Sequence, residues 1–462
     1  MKKIFFSLLL AALSAMGPGL TCSAQDETPA KVRLYGFIRN YLVYDTREVN
    51  AGTQDLYFYM PKDREMVDGV DQNAVPSFRM LALTSRLGVD ISGYRIGETQ
   101  VSGIIEGDFY CMSGSTAAFR LRQAYASILW DNLVVGDLRL NVGQTWHPMA
   151  VDMPHVTNLE TGAPFNPFNR SPQIMAHWTV GDFTWTGGIL YPMQYLPVGP
   201  SSTTGPSWDV WQKTYSPKTT YSTIKSADFA KYGLIPEVYF GVSYSRGGFL
   251  GKAGVNLFSI KPGWEAPAIT VNDAAARELT YDYETRSVLK DERLFAISPF
   301  VYLQVTAGSF QLKAKSILAQ SGEHMNLLSG YGATFDWSRQ TMAYTPMRDW
   351  ASFLSFQVGR KFQFMTMLGY MQQIGTTKSL FNYELSDFRN SIWLNTSADS
   401  HIQRAFRATP TIAYNLGKLT FAIEYNCTGA WFGEGRRNIG GLYGEGHWLL
   451  NHRIEQMVKF SF

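Results

Sequence analysis

Arg33, Arg39, Arg86, Arg120 and Arg122 recur early in the chain, interleaved with Asp90, Glu106 and Asp108. Guanidinium groups present a planar fork that grips carboxylate and phosphate through two bonds at once. Carboxylates at alternating positions among them supply counter-charge. Such a set acts on a solute through its field and makes or breaks no bond. A catalytic alternative is a Ser-His lipase site. His177 and His452 lie on candidate strands with Ser171 and Ser461 as the nearest serines, but the spacing commits to no dyad, so no catalytic residue and no enzyme activity are expected. His147, Asp152 and His155 form the one group that resembles a metal set, and the prolines between them oppose convergence. No metal and no cofactor are expected.

The elements that carry these charges alternate in polarity at every step. In Lys31 to Asp45, Val32, Leu34, Ile38 and Leu42 take one face while Arg33, Tyr35, Arg39 and Asp45 take the other. Leu81, Leu83, Leu87, Val89 and Ile91 oppose Thr84, Arg86, Asp90 and Ser92, and Val101, Ile105 and Phe109 oppose Gln100, Ser102, Glu106 and Asp108. Thirteen further segments repeat the theme up to Trp448–Phe462, for a total of sixteen. The reading is all-β: a transmembrane antiparallel β-barrel of sixteen strands with apolar side chains toward lipid and polar ones toward water. The even count puts both termini at the periplasmic side.

The connections alternate too. Gly93–Gly97, Gly181–Asp182, Gly247–Gly248 and Leu416–Lys418 are short and rich in turn formers, as periplasmic turns are. Thr46–Phe78, Met112–Ala118, His147–Pro172, Pro192–Leu234, Lys261–Glu292, Ser321–Arg348, Gln373–Arg404 and Trp431–His447 read as eight long extracellular loops. Residues 1–24 read as a secretory signal peptide, with Lys2 and Lys3, an apolar stretch to Ala15 and a small-residue end at Cys22-Ser23-Ala24. Residues 25–462 are then a single barrel domain. Beyond the leader no apolar run is long enough for a membrane helix. An aromatic content of 14% with only 17% charged residues suits interfacial girdles, and a net charge of +3 gives no reason to expect nucleic acid. Cys111 and Cys427 have no metal-type or CxxC spacing and read as small apolar side chains.

Strand parity points eleven cations inward, Arg33, Arg39, Arg86, Arg120, Arg122, Arg139, Lys313, Lys315, Arg407, Arg453 and Lys459, against seven anions, Asp45, Asp90, Glu106, Asp108, Glu237, Glu424 and Glu455. The expected function is passive diffusion of small polar and anionic solutes through a water-filled pore, with the arginines facing Glu106 and Asp108 across a transverse field of mild anion preference. The pore-lining set is Arg33, Arg39, Arg86, Asp90, Glu106, Asp108, Arg120 and Arg122. Loop 147–172, stiffened by five prolines, is the expected constriction, with Phe165, Asn166, Phe168, Asn169 and Arg170 on its compact surface. The rival is a plugged barrel serving as a surface adhesin or receptor through its loops.

The runs Gly36-Phe37-Ile38-Arg39, Ser85-Arg86-Leu87-Gly88-Val89, Glu106-Gly107-Asp108-Phe109, Phe119 to Tyr125, Val142 to Trp146 and Arg170 to Ile174 occur in this order along the first part of the chain. Together they resemble the DcaP-like trimeric outer-membrane porins. The later part matches only in barrel pattern and in its ending, Val458-Lys459-Phe460-Ser461-Phe462, which resembles the signal read by the barrel assembly machinery. The resemblance implies a sixteen-stranded homotrimer in the bacterial outer membrane, embedded in lipid and lipopolysaccharide, that admits small and often anionic solutes. Gly435-Arg436-Arg437 in the last loop could touch lipopolysaccharide phosphates, although an exposed basic loop is usually only solvated. Only Gln25–Ala30 precede the barrel, so the coiled-coil stalk of some members is not expected. Composition and long aromatic loops are similar to Bacteroidetes-type porins.

Overall fold

The computed structural model describes residues 27–113, 116–131, 135–209, 214–274, 278–380 and 392–462, and the expected leader lies outside them. Sixteen antiparallel strands close into one barrel. They are β1 (Lys31–Asp45), β2 (Arg86–Ile96), β3 (Thr99–Ser113), β4 (Thr116–Trp130), β5 (Asp137–Trp146), β6 (Arg170–Val180), β7 (Phe183–Leu190) and β8 (Glu237–Arg246). The circuit continues through β9 (Phe249–Ile260), β10 (Leu294–Ala307), β11 (Phe310–Gln320), β12 (Thr341–Gly359) and β13 (Phe362–Thr376). It ends with β14 (Ile402–Ala408 resuming at Thr411–Leu416), β15 (Leu419–Arg437) and β16 (Tyr443–Ser461). Closure is made by β1 on β16, with Phe37 opposite Ser461 and Asp45 opposite Arg453. The break in β14 falls at Pro410, which has no N–H to give a ladder.

Sequence parity and structure agree on the outer wall. On β13, Phe362, Phe364 and Leu368 are exposed while Met365, Met367 and Met371 are buried. Exposed apolar side chains on alternate positions are what a lipid-facing wall requires. Leu368 is 52% exposed on that outer face, and Gln363 lies on the same strand with inward parity. Leu368→Arg is therefore expected to lower the unfolding free energy in lipid vesicles by about 2–4 kcal/mol, while Gln363→Arg changes it by less than about 1 kcal/mol. Equal effects in denaturant titration would remove the inside–outside assignment.

Several boundaries differ from the sequence reading. The second strand, expected over Met80–Ser92, is split: Ser77–Leu81 pairs separately on β1, and Thr84 between the pieces has φ 74°. β3 and β4 reach Ser113 and Thr116, and β15 and β16 reach Arg437 and Tyr443. The expected long connections at Met112–Ala118 and Trp431–His447 are therefore mostly strand. Alternation had faded there into Gly429, Gly433, Gly444 and Gly446, yet the ladder continues, with Phe432 opposite His447. Cys427 is a free thiol.

The buried apolar cluster sits inside the barrel. It joins Leu56, Tyr57, Tyr59 and Met60 of the first loop, Met149, Leu159, Phe165 and Phe168 of loop 147–169, and Met325, Leu327 and Leu328 of the loop after β11. These pack on inward side chains including Tyr41, Phe300, Tyr302, Phe353, Met367 and Phe432. None of its buried members comes from β2, β3, β4 or β5. A barrel of this strand number is too wide for wall side chains alone to fill, so inward loops supply the core.

Candidate functional site

The uncored side of the interior is the wall formed by β2 to β5. There Glu106 of β3 sits between β2 and β4. It accepts from Arg122 Nε at 2.8 Å, Gln123 Nε2 at 3.2 Å and Tyr35 Oη at 3.2 Å, with Arg86 Nη1 at 3.7 Å. Asp108 accepts from Arg120 Nε at 2.9 Å and Arg122 Nη1 at 2.8 Å. Arg86, Glu106, Asp108, Arg120 and Arg122 thus form one connected network. Arg33 and Asp90 make a separate pair at 2.8 Å. A register shift between Leu121 and Gln123 turns two consecutive side chains, Arg122 and Gln123, to the inside, which simple parity does not anticipate.

The acids do not face the arginines across the lumen; they lie between them on one wall and neutralise them locally. The uncompensated positive charge lies elsewhere. Arg39 donates from Nε to Thr84 Oγ1 at 3.0 Å and lies over the rings of Phe37 (4.7 Å) and Tyr41 (5.1 Å). Among the described residues Arg39, Arg139, Arg170 and Lys459 have no ion pair. Arg39, Arg139 and Lys459 are at least partly exposed, whereas Arg170 is 2% exposed, 4.5 Å over the Trp146 ring.

The segment between β5 and β6 runs from His147 to Asn169, because β6 starts at Arg170 rather than Gln173. It crosses the barrel interior, held by inward side chains of distant strands. Lys252 Nζ of β9 meets Asp152 at 2.7 Å, Lys313 Nζ of β11 donates to Met153 O at 2.9 Å, and Ser355 Oγ of β12 accepts from His155 N at 2.8 Å. Glu424 of β15 accepts from Thr157 N at 2.7 Å and Asn158 Nδ2 at 2.6 Å, and Tyr41 of β1 donates to Thr157 O at 3.0 Å. Arg407 of β14 reaches Glu160 at 3.1 Å.

Of the loop residues singled out, Phe165 is fully buried against Gly369, where an added Cβ would come within 2.4 Å of the ring. Asn166 Oδ1 accepts from Lys315 Nζ at 2.9 Å, a lysine that also donates to Met149 O. Phe168 stacks edge-on with Tyr57 (5.6 Å) and Trp146 (5.2 Å). Asn169 donates to His324 O at 2.7 Å.

His147, Asp152 and His155 go to three separate partners, and no group of metal-ligating residues occurs among the described residues. His147 instead shares Glu237 with His324. Glu237 Oε1 lies 3.1 Å from His147 Nε2, 2.9 Å from His324 Nε2 and 2.7 Å from Asn256 Nδ2. His324 Nδ1 faces Ser321 O at 3.2 Å, so both of its ring nitrogens meet groups that only accept, and the ring must carry two protons. His147 Nδ1 accepts from Met149 N, which puts its single proton on Nε2. Neither His177, bonded to Asn141 and Thr186, nor His452, bonded to Tyr425, meets a serine. Sequence reasoning did not single out Tyr57, Tyr59, Glu160 or His324. The unbroken run Leu56-Tyr57-Phe58-Tyr59-Met60 in a supposed polar loop was the available signal.

Two pockets open on the uncored wall. One, about 410 Å³, lies among Asp90, Ser102, Tyr125, Ser127, Arg139 and Asn141; the second, about 270 Å³, continues from Tyr125 and Asn141 to Trp146, His177, Tyr239 and Lys252.

A closed sixteen-stranded barrel with an inward loop after its fifth strand is the porin-type fold. The outer membrane channel DcaP of Acinetobacter baumannii has this fold, with TM-score 0.59 and 16% identity over 94% of this chain and 97% of that one. OmpT of Vibrio cholerae (TM-score 0.49, 11% identity, 94% and 98% covered) and an anion-selective porin from Comamonas acidovorans (TM-score 0.49, 10% identity, 94% and 100% covered) are more distant in shape. No protein-family model matches the chain, and a search of curated protein sequences finds no match either.

Proposed function

We propose that the chain is a DcaP-like outer-membrane porin that lets small polar solutes diffuse passively, with a preference for anions. The carrying observation is the lopsided interior: loops and apolar core pack on β1 and on β6 to β16, while the wall of β2 to β5 contributes no buried apolar member and is left charged and pocketed. Among the described residues, the inward cations that are at least partly exposed and have no ion pair include Arg39, Arg139 and Lys459. Glu424, Glu455 and Asp349, which form no salt bridge, are no more than 1% exposed beneath the loops. Cations in contact with water raise the local concentration of anions.

On this reading residues 1–24 are removed on export, the working form is a homotrimer, and loop 147–169 sets the narrowest point. In planar bilayers with a KCl gradient of about tenfold, the zero-current potential is expected to take the sign of chloride preference. A cation-selective potential would overturn the anion reading. The apolar core inside the lumen favours one rival, a plugged barrel acting as a loop-borne receptor; the absence of any single-channel current would select it.

A further inference from the structure

The two pockets share Tyr125 and Asn141, so they form one continuous track along the inner face of β2 to β9. Its charges are compensated with one exception. Asp90 is neutralised by Arg33 at 2.8 Å and Lys252 by Asp152 at 2.7 Å, whereas Arg139, exposed to the lumen, has no ion pair among the described residues. Beside it, Asn141 donates from Nδ2 to His177 at 3.3 Å, so that imidazole nitrogen is an acceptor. Asn141 Oδ1 is buried without a partner. An unmet buried acceptor next to an unmet cation needs a ligand that both donates and carries negative charge.

The rest of the lining is neutral and rich in hydroxyls: Ser92, Ser102 and Ser127 in one pocket, Thr145, Thr184 and Thr186 in the other. Aromatic surface is supplied at the junction by Tyr125. Thr145, Thr184 and Thr186 already bond Gln123, Thr179 and His177, so chloride or a short carboxylate would use Arg139 alone and leave Ser92, Ser102 and Ser127 to water. A small ring bearing several hydroxyls and one carboxylate would use those serines too, because hydroxyls both donate and accept and the ring's C–H face packs on an aromatic.

We propose that this track is a recognition site for hydroxylated carboxylates of the sugar-acid class, with Arg139 holding the carboxylate and Asn141 Oδ1 accepting from a ring hydroxyl. The proposal deepens the anion-pore reading and rests on it for its biological sense, but it is tested by equilibrium binding, which needs no current.

The detergent-solubilised full chain is titrated calorimetrically with glucuronate, acetate and glucose. Glucuronate is expected to bind most tightly, with both controls roughly tenfold weaker or more. Arg139→Gln is expected to weaken glucuronate by roughly tenfold and leave glucose unchanged, and Ser102→Ala with Ser127→Ala to weaken glucuronate and leave acetate unchanged. Retained heat-modifiable migration on gels shows that the variants are folded. Acetate binding as tightly as glucuronate overturns the hydroxyl assignment, glucose doing so overturns the role of Arg139, and no glucuronate binding overturns the site. A chain that binds glucuronate but passes no current defeats the pore reading alone; one that conducts without binding defeats only this proposal.

Discussion

Arg407→Ala is expected to release two inward loops at once, lowering stability by about 3–5 kcal/mol and raising single-channel conductance. The guanidinium is 1% exposed. It donates to Thr428 Oγ1 on the neighbouring strand at 2.8 Å, to Glu160 Oε1 at 3.1 Å and Ala163 O at 2.9 Å in loop 147–169, and to Tyr59 O at 2.6 Å in the first loop. The rings of Phe58 and Phe165 flank it at 5.0 and 5.4 Å. Truncation leaves the Glu160 carboxylate buried with neither oxygen paired to a cation, since Oε2 already has no partner. Loop 147–169 then relieves that cost by moving toward water, which widens the lumen. Replacing both members, Arg407→Met with Glu160→Leu, removes the stranded charge and is expected to recover a large part of the stability. Unchanged conductance in a folded Arg407→Ala barrel would mean that the loop does not limit the current.

The wall of the barrel was legible in the sequence because lipid and water impose a two-residue period on every strand, and each strand reports its own faces. Lys31–Asp45, Phe249–Ile260 and Phe310–Gln320 are found with the expected ends. Boundaries blur where that contrast is lost. Both faces of β15 are covered from Thr428 to Gly433, so Trp431, Phe432 and Gly433 no longer alternate although the ladder persists. A bulge defeats parity altogether, as at Arg122 and Gln123.

The interior was less legible, for a different reason. Which loop enters a lumen is a property of distant partners: Thr157 is placed by Glu424, 267 positions away, and Asn326 by Tyr57, 269 positions away. Local composition marks only that a segment wants burial. It did so for loop 147–169 through its prolines and phenylalanines, and equally for Leu56–Met60, whose five apolar residues were passed over because the surrounding loop is polar. The charge network shows the same limit. Strand parity put Arg86, Glu106, Asp108, Arg120 and Arg122 on one inner face, but only register decides that the acids fall between the arginines instead of opposite them.

Alkaline pH is expected to loosen the loop plug, through His324. Its imidazole stacks on Phe258 with ring centres 3.8 Å apart, and its backbone carbonyl receives Asn169, so the turn after β11 is tied to β8, β9 and loop 147–169 through this one residue. The titratable groups around it are Glu237 on β8, His147 on the loop, and Glu323 on its own turn, with Asp349 on β12 beyond Glu323. Burial opposes the charge on His324, but the Glu237 carboxylate outweighs it and raises the imidazole above its usual 6.5. A raised histidine contributes stability that is complete below the unfolded value and is lost as pH climbs through the folded one. Burial raises Glu160 to about 7, so the docked loop prefers its protonated form and weakens between about 4.5 and 7. Burial, aided by Lys313, lowers His155 to about 4, and its contribution runs the other way, lost as pH falls from about 6.5 to 4. The two oppose each other in acid, and above about 7 neither adds a further loss. Conductance measured from pH 7 upward should therefore increase with pH in the natural chain. His324→Gln, which keeps one hydrogen bond and cannot titrate, should show a flat profile over that range. A slope that survives the substitution would assign the transition to another group.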